Sequence, residues 1–368
     1  MSAVLALGSL ALAAWVGLLV HSARPWDLRP IAEDEPEPRA PERWPSVAAL
    51  VPARDEATVL PQTLPALLAQ DYPGRWSVVL VDDRSQDGTA GVALAHAEER
   101  LTVVEGSSLP TGWVRKPWAL EQALAAAPRA DYLLLTDADI RHAPGSLRRL
   151  VVEAEAGPLA LVSRMARLRC LSFAERLLVP PFLFFFQCLY PMRHVNDPRA
   201  HVAAAAGGCL LVRRDALERA GGFAAIRGAV IDDIALARRI KLLPEPIRLA
   251  VSRADVVSVR PHDSIGSVWR MVSRTAFMQL RRSRVLLAVT LAGLALLFPF
   301  PPALLVYGLI SGWTAAAAVG GAAWAAMTLA FLPTVRFFRL GAGWAPTLPF
   351  AGVLYAGMTL DSALRASE

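Results

Sequence analysis

The chain has 368 residues, 54% of them apolar and 19% charged, with three cysteines and a formal net charge of +6. Soluble domains carry about 25% charged residues, so a wholly soluble globule is excluded, and the wealth of Leu, Val and Phe excludes disorder. Three cysteines exclude a disulfide framework and a C-x-x-C zinc ribbon.

Of the 38 basic side chains 36 are arginine, Lys116 and Lys241 being the only lysines. That bias takes meaning away from arginine number as a nucleic-acid signal. The arginines gather beside apolar stretches, where positive-inside topology and anionic lipid account for them, so the expected partner is a membrane and no nucleic acid.

Residues 1–20 carry no charge, enough at ~1.5 Å per residue to cross a ~30 Å hydrocarbon core. Without a basic n-region or a small-residue cleavage site, this stretch reads as an uncleaved anchor. Residues 33–43 are charged and proline-rich, the pattern of a solvated linker. From Val285 to Val335 charge is again absent, enough for two spans turned at Gly308–Trp313, with Pro299, Pro301 and Pro302 kinking the first. A third uncharged stretch, 340–360, is richer in Gly and Pro. The expected order is an anchor (1–22), a linker (23–43), a globular domain (44–262), an amphipathic interfacial helix (263–284), two to three spans (285–360) and a tail (361–368). With Arg24, Arg29, Arg281–Arg284 and Arg336–Arg339 on the inner side, the globular domain faces the cytoplasm.

Inside that domain, apolar runs at Val47–Val51, Val78–Val81, Leu101–Val104, Tyr132–Leu135 and Leu159–Val162 alternate with helical patterns at 58–70, 88–99, 117–127 and 145–156. Such alternation predicts an α/β fold with a mostly parallel sheet, whose ligands sit at the carboxyl ends of its strands. Those ends are acidic: V-P-A-R-D-E at 51–56, V-D-D-R-S-Q-D-G-T at 81–89 and T-D-A-D at 136–139. No G-x-G-x-x-G follows the first strand and no G-K-[ST] occurs, so neither a dinucleotide fold nor a P-loop is supported. Carboxylates in those places point to phosphate held through a metal, with Asp137 and Asp139 directed at one site. A D-x-D alone is also an ordinary solvated turn.

Lys116 stands at a predicted helix start, where an ammonium suits a phosphate or a carboxylate; a plain surface lysine is the other reading. Leu177–Pro191 is strongly apolar but too short to span, which leaves a buried core helix or a second interfacial element. Residues 207–223 read as a glycine-hinged strand leading to a helix. Asp232 and Asp233 begin the next helix: capping accounts for one, leaving the other free as a general base. In 267–284, at ~100° per residue, Arg270, Arg274, Arg281 and Arg284 share one face, with Ile265, Val268, Trp269, Val272 and Leu280 opposite.

Taken in order, V-P-A-R-D-E, D-D-R-S-Q-D-G-T, K-P-W-A-L, T-D-A-D and I-D-D-I-A-L-A-R-R resemble the family 2 glycosyltransferases over about 44–285. The resemblance implies an inverting enzyme of the Rossmann-like GT-A fold with a nucleotide-sugar donor. It implies that Asp83, with Asp82 and Asp55 nearby and Pro52 and Ala53 at the strand end, holds the nucleoside, expected to be uridine. Asp139, with Asp137, would bind Mg2+ or Mn2+ on the diphosphate, and Lys116 would join the donor site. Asp233 matches the acceptor-deprotonating base, with Gly207, Gly208 and Asp232 on the acceptor side.

Membrane members often carry Q-x-x-R-W; here Gln279–Ser283 has serine in place of the tryptophan, which leaves Arg270 and Arg274 as substitutes or the whole face as a lipid-headgroup belt. The single anchor, G-W-x-x-K-P-W-A (112–119), R-T-A-F-x-Q-L (274–280) and the terminal spans look most like bacterial hopanoid-biosynthesis-associated glycosyltransferases, and in layout like ceramide glucosyltransferases. That narrower likeness implies a lipid or isoprenoid acceptor and a bacterial inner-membrane location. Transfer to a polyisoprenyl phosphate and a non-catalytic scaffold are the alternatives.

Overall fold

A computed structural model describes residues 2–366; Met1 of the expected anchor and residues 367–368 of the expected tail lie outside the described residues. The chain divides into two compact units, each assembled from separated segments. One is helical, Met1–Leu28 with Cys170–Pro191 and Pro261–Glu368; the other is α/β, Arg29–Arg169 with Met192–Arg260.

The α/β unit has strands β1 (Val47–Ala53), β2 (Trp76–Asp82), β3 (Leu101–Glu105), β4 (Tyr132–Thr136), β5 (Ile140–His142), β6 (Leu161–Met165), β7 (Cys209–Arg213), β8 (Ile247–Val251) and β9 (Val256–Ser258). Seven form one sheet in the order β3-β2-β1-β4-β7-β6-β8, and β5 pairs with β9 apart from it. All pairs in the large sheet are parallel except those of β7, which runs antiparallel to both neighbours. The five expected runs overlap β1, β2, β3, β4 and β6. Among them β1, β2 and β4 are buried almost throughout, as continuous apolar runs covered on both faces require. At the edge, β3 is only half-buried. The two short strands escaped notice because three residues such as I-R-H carry no readable period.

The segment 33–43, expected to be a solvated linker, is exposed over most of its length and is tied to this unit over its first half. Glu33 accepts hydrogen bonds from the Ser252 hydroxyl (2.7 Å) and from the backbone N–H groups of Arg253, Ala254 and Asp255. Those donors hold its carboxyl down at about 2 against the opposing effect of burial. Asp34 meets Arg253 through two bonds of 2.8 and 3.0 Å, Glu35 pairs with Arg248, and Glu37 with Arg148 at 3.1 Å. Glu33, Asp34, Glu35 and Glu37 each have a basic or N–H partner, so this exposed stretch is fastened along its first half. The chain's one asparagine is also a tie: Asn196 exchanges bonds of 2.7 and 2.9 Å with the backbone of Leu249 on β8.

The helical unit holds three helical stretches long and apolar enough to cross a membrane: Ala3–Val20, Arg284–Ser311 and Thr314–Phe337. The second is interrupted between Leu297 and Phe300, at Pro299, whose missing N–H and ring break the ladder. Gly312, at φ 71°, turns the chain into the third. A Cβ at Gly308 would lie 2.3 Å from the Ala317 backbone nitrogen, so glycine there lets the second and third helices touch. The last helix, Leu348–Arg365, runs well into the expected tail.

In this unit one open reading is decided and one expectation changes. All of Leu177–Pro191 but its last two residues lies within the helix Phe173–Leu189, begun by a capping box between Ser172 and Glu175. Its Leu178 and Phe184 are fully buried among Trp15, Phe331 and Tyr355, so it is a core element and Phe184 no lipid anchor. The expected continuous helix at 263–284 is two short ones, Ile265–Ser273 and Ala276–Gln279, followed by Arg281 and Arg282 in left-handed conformations. Its arginine face is exposed, but Val268 and Val272 pack inside the protein, and Trp269 donates its indole N–H to Asp361 at 2.8 Å.

Candidate active site

The carboxyl ends of β1 and β2 close on each other through their own acids. Asp83 donates its backbone N–H to the Ala53 carbonyl (2.8 Å), and Asp55 takes the Gln86 N–H (2.9 Å) while giving its own N–H to the Ser85 hydroxyl (2.9 Å). Asp55 and Arg84 both sit at positive φ, 53° and 56°, a conformation these bonds hold in place. Asp82, 6% exposed, accepts the Ser85 hydroxyl. Asp87 accepts from the Ala57 N–H, the Thr89 N–H and the Thr89 hydroxyl. Movable cations also enter here: Arg54 lies 3.4 Å from Asp83 and 3.7 Å from Asp55, and Arg115 lies 3.7 Å from Asp83. Burial, partly offset by Arg54, raises the Asp83 carboxyl above the usual range.

A second group forms where β4 ends and the helix Asp232–Ile240 begins. Lys116, in the first turn of Arg115–Ala126, places its ammonium 2.7 Å from Asp137 and 3.6 Å from Asp232. Burial alone would favour its neutral form, but the carboxylates of Asp137, Asp232 and Asp233 outweigh that and keep it charged. The lysine therefore answers carboxylates of its own chain.

Neither aspartate of the pair caps its helix: the cap position is Ile231, without a side-chain bond. Asp233 instead takes the Gly207 N–H on one oxygen (2.8 Å) and the Ile234 N–H on the other (2.7 Å). Burial first, and the Asp232 charge second, push its carboxyl up to about 6, Lys116 pulling the other way. A Cβ on Gly207 would lie 2.8 Å from the Lys116 ammonium and 3.3 Å from Asp233, so a side chain here would displace the lysine from its present place. Gly208 stands beside Ile140 and Ala166, turned to the core. Pro52, Lys116, Asp137, Gly207, Asp232 and Asp233 line one cleft, whose apolar wall includes Leu135 and Phe223.

The two acids of T-D-A-D part company. While Asp137 meets Lys116, Asp139 gives one oxygen to the Ser258 hydroxyl (2.9 Å) and to Arg260 Nε (3.2 Å). The same guanidinium binds both oxygens of Glu56 through its terminal nitrogen. Beneath the motif runs a buried chain: Gln70, Ser146, His142 and Thr136 are linked in turn, and Thr136 donates to the Gly208 carbonyl at 2.9 Å. Burial lowers His142 to about 4, which leaves it a neutral structural link. Among the described residues no three His, Cys, Asp or Glu side chains gather as a metal cluster. The Ser258 and Arg260 bonds both fall on the same oxygen of Asp139. That donor set suits a Mg2+-like ion held by one or two carboxylates and completed by diphosphate oxygens and water.

Of the expected site residues, the α/β unit brings together Pro52, Lys116, Asp137, Gly207, Asp232 and Asp233, with Asp55, Asp82 and Asp83 on the neighbouring strand ends. Arg270 and Arg274 belong to the helical unit, both exposed. Sequence reading missed Arg260, Ser258 and Glu56. Glu56 stood unassigned within V-P-A-R-D-E, while Arg260 was one arginine among 36 with no motif around it.

Residues 48–221 match the family model of glycosyl transferase family 2, so the α/β unit carries such a domain and the chain is a glycosyltransferase. Among solved structures, the mannosyltransferase PcManGT from Pyrobaculum calidifontis, in complex with GDP-Man and Mn2+, is similar over 99% of this chain and 100% of its own, at 23% identity and a TM-score of 0.59. Mannosyl-3-phosphoglycerate synthase from Rubrobacter xylanophilus is similar over 65% of this chain and 77% of its own, at 20% identity and a TM-score of 0.37. A comparison with curated proteins finds no match.

Proposed function

We propose that this glycosyltransferase moves a sugar from a nucleoside-diphosphate donor to a lipid or isoprenoid hydroxyl, of hopanoid type, in one inverting displacement. The observation that carries the reading is Asp233: a carboxylate oriented by two backbone N–H groups, beside Lys116, Asp137 and Asp232. A base raised to about 6 is ionised near neutral pH yet basic enough to take a proton from an attacking hydroxyl. Gly207 and Ile234 fix its orientation, and Lys116 keeps Asp137 and Asp232 close by without strong mutual repulsion. On the donor side, Asp83 and Asp55 would take the nucleoside. Asp139, with Asp137, would hold a Mg2+ or Mn2+ ion, which supplies charge neutralisation to the departing diphosphate; the Pyrobaculum structure was solved with Mn2+.

Three apolar helices support a membrane-bound enzyme at the bacterial inner membrane, its α/β unit on the cytoplasmic side. Arg270 and Arg274, exposed on the arginine face, would serve the diphosphate or anionic headgroups. The test is nucleotide release from a panel of UDP- and GDP-sugars with total lipid as acceptor, including separate hopanoid and polyisoprenyl-phosphate fractions. Turnover should require lipid and fall at least ~100-fold in Asp139→Ala. Equal rates in the two proteins would remove the catalytic reading, and activity confined to the polyisoprenyl-phosphate fraction would replace the acceptor.

A further inference from the structure

Arg260 bridges two acids that come from different strand ends. Its Nε donates to Asp139 at 3.2 Å and its terminal nitrogen to Glu56 at 2.5 Å. Asp139 follows β4, Glu56 follows β1 and Arg260 follows β9, so three loops meet in this one guanidinium. β9 is held from both sides: Ser258 pairs in register with Ile140, next to Asp139, and the turn before it is fastened by Glu33. Arg260 is thus delivered to Asp139 by an ordered strand. Both carboxylates are largely shielded, their side chains 15% and 14% exposed, whereas the Arg260 side chain is 39% exposed.

We propose that Arg260 is an internal counter-cation for Asp139, holding the carboxylate in place without metal and yielding to a divalent ion by shifting onto Glu56. Rotation that gives up the Nε bond leaves the terminal nitrogen on Glu56, so the guanidinium keeps a charged partner throughout. A divalent ion and a guanidinium on one carboxylate repel each other, so metal alone binds weakly. This inference rests on the reading of Asp139 as a metal ligand.

The deciding measurement is Mn2+ binding to the intact, detergent-solubilised protein without nucleotide, followed by electron paramagnetic resonance. Arg260→Gln should bind Mn2+ at least ~10-fold more tightly than the unaltered protein, since a competing cation is gone. Glu56→Gln should bind it more weakly, because the guanidinium then has only Asp139 to hold. Arg260→Lys should stay close to the unaltered protein, and Asp139→Asn combined with Arg260→Gln should lose the gain. Damage to the fold does not tighten metal binding, so the first result separates competition from disruption. Equal or weaker binding by Arg260→Gln, including none in either protein, overturns the proposal. Chelation by EDTA tests the underlying reading separately: lost nucleotide release in an enzyme whose Arg260→Gln variant gains no affinity keeps the metal and discards the counter-cation.

Discussion

The acids at the ends of β1 and β2 and those at the end of β4 look alike in sequence and behave differently in the fold. Asp82 and Asp87 are answered by backbone N–H groups and hydroxyls two or three positions away or across one loop. Those partners cannot leave, so these acids shape the loop. Asp137, Asp139 and Asp232 are answered by the ends of two long cations, Lys116 and Arg260, which can swing. Asp233 stands between the two kinds, oriented by backbone N–H groups yet facing Lys116. An acid met by fixed dipoles builds structure, and one met by a mobile charge is available for exchange with a ligand.

The largest effect that sharpens this contrast is at Asp233. Asp233→Asn keeps the shape and one oxygen acceptor but cannot take a proton, so nucleotide release should fall by roughly 10³-fold while circular dichroism and the melting temperature hold. A loss of tenfold or less would place the base elsewhere. At the β2 end the balance should reverse. Asp82→Ala, which frees the Ser85 hydroxyl, should cost about 1–3 kcal/mol of stability in denaturant unfolding of the intact chain. The surviving folded fraction should keep its turnover within about threefold, because this acid acts through the loop. A large drop in turnover with unchanged stability would break the comparison.

The smallest effect is in pH dependence. A base must be ionised, and Asp233 is pushed up to about 6. The rate should therefore fall as pH drops through about 6, where an ordinary aspartate would hold activity down to about 4. Asp232→Asn removes the neighbouring like charge and should move that limb to lower pH. A pH–rate profile whose limb stays put in the variant would mean that the Asp232 charge does not act on the base.

Much of this site was legible because its chemistry is written in short, ordered blocks. The acids stand directly after apolar runs, and strand ends are where an α/β sheet exposes side chains to a ligand. What stayed illegible was pairing. Nothing around Arg260 distinguishes it from 35 other arginines, and its meaning comes from β9 pairing with β5 across more than a hundred residues. The linker's anchoring was illegible for the same reason: nothing within E-D-E-P-E shows that Ser252–Asp255 presents a turn of N–H groups to Glu33.

Composition and periodicity by themselves determined the apolar helices, the alternating α/β unit between them and the acids at its strand ends, since each depends on neighbours along the chain. Tertiary structure alone decided that β7 runs against its neighbours, that Phe184 is core, and which cation answers which aspartate. Those depend on residues distant in sequence, and a carboxylate's role follows from the partner that reaches it.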